Sequence, residues 1–147
     1  MKINIGVGIS VLNGYTNVDP SGKDDCLCMD FKSLDAVCDD SSCTEIRATN
    51  ALNFVHGSVL VDVLKHWIKK LRHGGILIVG GFDIFEISKA VFLSHLAVVD
   101  ANQILYKDGV CGIYTPNEIV GILHELGLKI NKRRVNGNEF VVEACRE

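Results

Sequence analysis

Two glycines and an aspartate are the residues here with the most chemical potential. Lys2-Ile3-Asn4-Ile5-Gly6-Val7-Gly8 places β-branched residues at strand spacing and then breaks into a Gly-x-Gly turn. Without a Cβ, the backbone at Gly6 and Gly8 can pass close to a ligand, with Val7 between them. Thirteen residues beyond Gly6, Tyr15-Thr16-Asn17-Val18-Asp19 reads as a second strand ending on a carboxylate. An acid there is placed to accept hydrogen bonds from ribose hydroxyls. The pattern is one edge of a nucleotide-type pocket. The same residues also read as a plain strand, a loop and a capping aspartate.

Other titratable groups are less focused. Cys26-Leu27-Cys28-Met29-Asp30 reads as a third short strand, again closed by an acid. Seven aspartates fall between Asp19 and Asp40, and Lys129, Lys132, Arg133 and Arg134 gather near the C-terminus. Solvated turns and an exposed strand face account for both groups. The six cysteines are spaced C-x-C and C-x4-C without paired C-x2-C knuckles. Reduced, structural cysteines in a cytoplasmic protein are expected, with no metal site. His56, Asp83 and Asp100 are the candidates for a proton-transferring group, while His66, His73, His95 and His124 sit in or at the ends of predicted helices.

The elements that must position these residues follow from periodicity. Thr44 to Asn50 alternates as a strand. Ser58 is placed to cap a helix from Val59 to Arg72 whose apolar stripe is Leu60, Val63, Leu64, Trp67, Ile68 and Leu71. Lys65, Lys69 and Lys70 are expected to face water, and Gly74-Gly75 to stop the helix. Ile76 to Val79 is a continuous apolar run, as a central strand of a parallel sheet requires. A helix is expected from Asp83 to about Leu96, and 97–112 has no clear pattern. Thr115-Pro116-Asn117-Glu118 is a capping box with proline at the first helical position. Leu128–Val135 and Glu139–Cys145 form strands joined through Asn136-Gly137-Asn138, a strong hairpin signal.

Strands alternating with helices imply an α/β fold with a mostly parallel sheet and one antiparallel C-terminal strand. Length predicts a single domain over 1–147. Only nine residues separate Gly6 from Thr16, too few for an ordinary helical crossover, so the first helix must be reduced. With 48% hydrophobic residues the chain can build a real core. A net charge of −3 gives no sign of nucleic-acid binding through bulk positive charge. No signal peptide is evident, and no apolar run is long enough to span a bilayer.

In this order, these motifs resemble the small class I S-adenosylmethionine-dependent methyltransferases, particularly the group with an "LNLGCG…GY.NVD" opening. Here that opening reads Ile3-Asn4-Ile5-Gly6-Val7-Gly8, then Gly14-Tyr15-Thr16-Asn17-Val18-Asp19. The group's "LKPGG" matches Lys70-Leu71-Arg72-His73-Gly74-Gly75, and its "YTPEEL" matches the stretch from Tyr114. The resemblance implies a three-layer Rossmann-like fold, with strand order 3-2-1-4-5-7-6 and S-adenosylmethionine at the carboxyl ends of the parallel strands. It implies that Gly6, Val7 and Gly8 pass under the cofactor, Asp19 holds the ribose, Asp30 and Phe31 meet the adenine, and Asn50 lies near the transferring methyl. It further implies a small-molecule or glycan-type acceptor; this chain has little insertion of its own to build an acceptor site, so a homo-oligomer or a partner could complete it. The sequence departs from the group at Asn4, usually an acid, at Ser10, usually a glycine, and at Asn50-Ala51-Leu52-Asn53-Phe54, usually "HVLEH". Those losses remove titratable groups near the acceptor, so a non-catalytic methyltransferase-like binding or regulatory protein is the alternative. A nicotinamide-binding domain fits less well, because Val11 stands at the third glycine position and there is no room for the helix.

Overall fold

Ile3 and Ile5 drive the first strand into the core, and the rest of the sheet grows from it. In the computed structural model, which describes residues 1–147, β1 (Lys2–Gly6) pairs in parallel with β2 (Thr16–Val18) on one side and β3 (Cys43–Asn50) on the other. β3 pairs in parallel with β4 (Leu71–Phe82). Beyond it, β6 (Glu139–Arg146) runs antiparallel between β4 and β5 (Leu128–Asn136). The order is β2-β1-β3-β4-β6-β5.

This is the expected Rossmann-like α/β sheet without its outermost strand. Cys26–Asp30 forms no strand, and only a single bridge joins Val18 to Leu27. Leu27 and Cys28 are exposed, so the apolar alternation there finds no layer to pack against.

Four helices complete the chain: α1 (Leu60–Lys70), α2 (Ile84–Phe92), α3 (Val98–Leu105) and α4 (Pro116–Glu125). α4 starts as its sequence dictates, with the Thr115 hydroxyl accepting from Glu118 N and Pro116 in the first turn. α1 starts differently from expectation. Its N-cap is Val59, and the Ser58 hydroxyl instead lies 2.8 Å from His56 Nδ1. Nor do the glycines stop it. The chain passes at Leu71 directly from α1 into β4, and Gly74 and Gly75 lie inside β4, where the register against β3 shifts between Leu71 and Ile76. A Cβ on Gly75 would meet Arg72 O at 2.8 Å, so glycine is required by a bulge and not by a helix end. α2 is shorter than expected, capped by Asp83 and ended at Phe92, and the unpatterned 97–112 contains α3. The C-terminal hairpin turns on Gly137 and Asn138, with Gly137 at φ +60°.

The core lies on one face of the sheet. Ile3, Ile5, Ile46, Ala48, Leu77, Val79, Phe140 and Val142 join Leu64 and Trp67 of α1, Ile119 and Leu123 of α4, and Phe31 and Leu34 in one buried cluster. Each such side chain contributes roughly 1.5–3 kcal/mol of burial. The alternate residues, among them Asn4, Glu45, Arg47, Thr49, Ile78, Val141 and Glu143, point to the opposite face, where the clefts are lined by strand and loop residues and by none from a helix. α2 and α3 contribute nothing to the core cluster and bury only Ile87 and Ala101. No helix is long and apolar enough to cross a membrane.

Candidate functional site

Since β1 connects to β2 on one side while β3 lies on its other side, the sheet changes winding direction between β1 and β3. The carboxyl ends of strands at such a switch point are where open α/β sheets form their ligand crevice. Gly6, Val7 and Gly8 leave β1 there, and Asn50 ends β3 beside them.

The loop is held by its own polar residues. Asn4 donates from Nδ2 to Ser10 O and to Asn17 Oδ1, both at 2.9 Å. Asn17 Oδ1 also accepts from Leu12 N at 3.0 Å, and its Nδ2 donates to the carbonyls of Leu12 and Tyr15 at 3.2 Å. This amide network replaces the missing crossover helix, giving the loop fixed partners for its backbone. Gly6, at φ +155°, is needed for close approach: a Cβ there would meet Asn50 O at 2.9 Å and Ile9 Cγ2 at 2.7 Å. Gly8, at φ +65°, faces open space.

Asp19 is fully buried. Its Oδ2 accepts from Ile9 N at 3.0 Å and its Oδ1 from Ser21 N at 2.9 Å. Burial alone would push its carboxyl up. The hydrogen bonds from Ser21 and from the backbone N–H groups of Ile9 and Gly8 outweigh that and hold it below its ordinary value. Lys23 reaches across to Ile9 O from the other side. Asp19 therefore shapes the glycine loop from within.

Of the other residues singled out in the sequence, Asn50 joins the loop, with its exposed side chain donating from Nδ2 to Val7 O at 3.0 Å. Asp30 and Phe31 stand apart. Asp30 is exposed in a turn, where Oδ1 accepts from Lys32 N. The Phe31 ring is buried in the core 6.3 Å from the Trp67 ring, and its carbonyl accepts from Trp67 Nε1 at 3.0 Å. Asp83 is buried and occupied as the cap of α2.

A cleft of about 240 Å³ opens beside the loop, lined by Asn4, Gly8, Ser10, Arg47, Thr49 and Asn50 among others. Reading the sequence did not single out Arg47 or Thr49. The signal was present, because alternation along Cys43–Asn50 places Glu45, Arg47 and Thr49 on one face. Asn53 was also missed. It is buried and joins three segments, donating to Gly112 O at 3.0 Å and accepting from Phe82 N at 2.8 Å. The neighbouring Tyr114 hydroxyl donates to Val55 O at 2.5 Å, and burial pushes that hydroxyl up to about 12. These contacts dock 111–114 against the segment that follows β3. No group of three or more His, Cys, Asp or Glu side chains is arranged to hold a metal ion.

Tested against S-adenosylmethionine, the site offers a partial fit. The open glycine turn at Gly8 and the exposed amide of Asn50 suit a polar ligand approaching the backbone. Asp19 and Phe31 are held by the protein itself, and the cleft contains Arg47 and no carboxylate to face a sulfonium.

No family model matches this chain, and no curated protein does. Solved structures do. A Thermotoga maritima SAM-dependent methyltransferase, described as a possible histamine N-methyltransferase, superposes with a TM-score of 0.67 at 17% identity, over 99% of this chain and 81% of that one. The Burkholderia thailandensis 1,6-didemethyltoxoflavin-N1-methyltransferase, with its substrate and S-adenosylhomocysteine bound, gives 0.66 at 12% identity, over 99% of this chain and 70% of that one. An O-methyltransferase family protein from Burkholderia thailandensis gives 0.53 at 14% identity over 71% of this chain. This chain covers 30% of that last protein, and 43% and 62% of two further neighbours. At these identities the likeness concerns architecture, and the architecture is the class I S-adenosylmethionine-dependent methyltransferase fold.

Proposed function

We propose that this chain is an S-adenosylmethionine-dependent methyltransferase acting on a small-molecule or glycan-type acceptor, with the cofactor at the switch point around Gly6, Val7, Gly8 and Asn50. The observation that carries the reading is the meeting of the glycine loop and Asn50 at the carboxyl edge of a sheet with this fold. Bound there, S-adenosylmethionine supplies an intrinsically activated methyl group, so the chain's task is to bind and orient. Asp19, Asn4 and Asn17 fix the loop for that task. No ionisable side chain in the cleft is placed as a general base, which suits acceptors that are already nucleophilic.

A second reading, a non-catalytic methyltransferase-like binding or regulatory protein, is favoured by the buried carboxylate of Asp19 and by Arg47 in the cleft. Isothermal titration of S-adenosylmethionine and S-adenosylhomocysteine into the wild-type chain and into Asn50→Ala separates the two. Asn50 is exposed, so its substitution leaves the core intact, whereas Asp19→Ala would disturb the loop and confuse binding with folding. The methyltransferase reading expects saturable binding that Asn50→Ala weakens by about 1–2 kcal/mol, the size of one lost hydrogen bond to a charged or polar group. A folded protein that takes up neither ligand would replace it with the second reading.

A further inference from the structure

The face of the sheet without helices is not a flat polar surface. Across it runs one row of cross-strand neighbours, Asn4, Arg47, Ile78, Glu143 and Lys132, drawn from five strands. A cavity of about 320 Å³ lies over this row, and its lining includes Arg47, Thr49, Lys132, Arg134, Glu139 and Glu143. It shares Arg47 and Thr49 with the cleft beside the glycine loop. Together the two form a groove of the size that small-molecule sites occupy.

The charges in this groove are incompletely paired. Arg47 Nε is buried without a hydrogen-bond partner. The nearest carboxylate oxygen, Glu45 Oε1, is 3.8 Å away and already accepts from the Tyr15 hydroxyl at 2.6 Å, while Glu45 Oε2 is paired with Lys2. Neither Lys132 nor Arg134 forms an ion pair. Glu143 stands opposite Lys132 in register and Glu139 also lines the cavity, so three cationic and two acidic side chains meet there, an excess of one positive charge. A buried guanidinium donor without a partner carries an unsatisfied desolvation cost, and planar guanidinium forks match phosphate and carboxylate oxygens two at a time.

We propose that this groove is an anion site for a small ligand bearing a diphosphate, held by Arg47 and Arg134, with Lys132 beside them and the Thr49 hydroxyl and Asn136 amide as neutral partners. Two guanidiniums and an ammonium around one cavity match a ligand with more than one negative charge better than a single carboxylate. The site does not depend on S-adenosylmethionine, and its test does not either.

The experiment is a titration of sodium pyrophosphate into ¹⁵N-labelled protein at constant ionic strength, followed by amide shifts, with inorganic phosphate and sodium chloride in parallel. The expected result is saturable shifts confined to Arg47, Thr49, Lys132, Arg134 and their neighbours, with pyrophosphate bound at least tenfold more tightly than phosphate. Arg134→Ala and Lys132→Ala, on an exposed edge strand, should each weaken binding severalfold. Arg47→Ala should weaken it more than tenfold, and Arg47→Lys, which keeps the charge and the stem, should recover only part. Shifts that do not saturate, that scatter over surface lysines, or that persist unchanged in Arg134→Ala overturn the proposal.

Discussion

Asn4 and Asp19 have divided the work of holding the glycine loop in a way that neither residue announces alone. A polar side chain at position 4 could serve the loop by donating or by accepting. Here the position must donate, because Asn4 Nδ2 faces two acceptors, Ser10 O and Asn17 Oδ1. The acceptor role toward loop N–H groups belongs to Asp19, which takes Ile9 N. An acid at this position is therefore expected to harm. Asn4→Asp sets a buried carboxylate against two oxygens and removes both hydrogen bonds, at a cost of about 2–4 kcal/mol. Urea unfolding should show a lower midpoint with an unchanged slope. If Asn4→Asp is as stable as wild type, the amide network does not hold the loop. The glycine turn and an acid at the end of the second strand were legible in the sequence, because both are local patterns. The direction of the Asp19 carboxylate was not, since it is set by the fold of 7–23 as a whole.

At the scale of elements, α1 shows where local pattern succeeds and where it stops. Its apolar stripe identified the buried face, and the α4 capping box and the Asn-Gly hairpin were equally clear, because each signal lies within a few residues. Lys70 was expected in water with Lys65 and Lys69. It is instead buried at the end of α1, with Nζ 2.6 Å from Asp35 and 2.9 Å from Asp40. No spacing rule within α1 reports that partner, because the acids lie some thirty residues earlier in the chain. Hydrogen bonds and charge from these acids raise the Lys70 ammonium above its ordinary value. Hydrogen bonds from Lys69 and Lys70 hold Asp40 down at about 2. The sign for stability follows from the carboxylates. A carboxyl depressed in the folded state stabilises the protein above its unfolded value of 3.8, and that stabilisation is lost as the pH falls toward about 2. Lys70→Met, which keeps the apolar stem but removes the charge, should lower the melting temperature by roughly 3–6 °C at pH 7. The gap between wild type and variant should narrow on acidification from pH 4 to pH 2.5. A gap independent of pH would mean that the stem of Lys70 matters and its ion pairs do not.

For the whole molecule, the one-sided core sets where stability resides. The buried cluster joins β1, β3, β4 and β6 to α1 and α4, whereas the opposite face of these strands buries Ile78. α2 and α3 stand outside it. They bury Ile87 and Ala101 and leave Phe85, Phe92, Val98, Val99 and Tyr106 exposed. Their tether to the rest is polar and lies at their ends, through the Asp83 cap, the bridge from Asp83 to Tyr114, and the Asn53 and Tyr114 contacts. An element with few apolar contacts opens at a free energy below that of global unfolding. In native-state hydrogen exchange, amides of 84–106 should therefore exchange with opening energies a few kcal/mol below those of Ile46–Ala48, Leu77–Val79 and Val142–Ala144, which should open only with the whole domain. A switch-point ligand that touches α2 or α3 would raise protection there selectively, whereas one bound on the helix-free face would raise it in β3, β5 and β6. Protection in 84–106 equal to that of the central strands would show that the two helices belong to the cooperative core, against the burial pattern that sets them outside it.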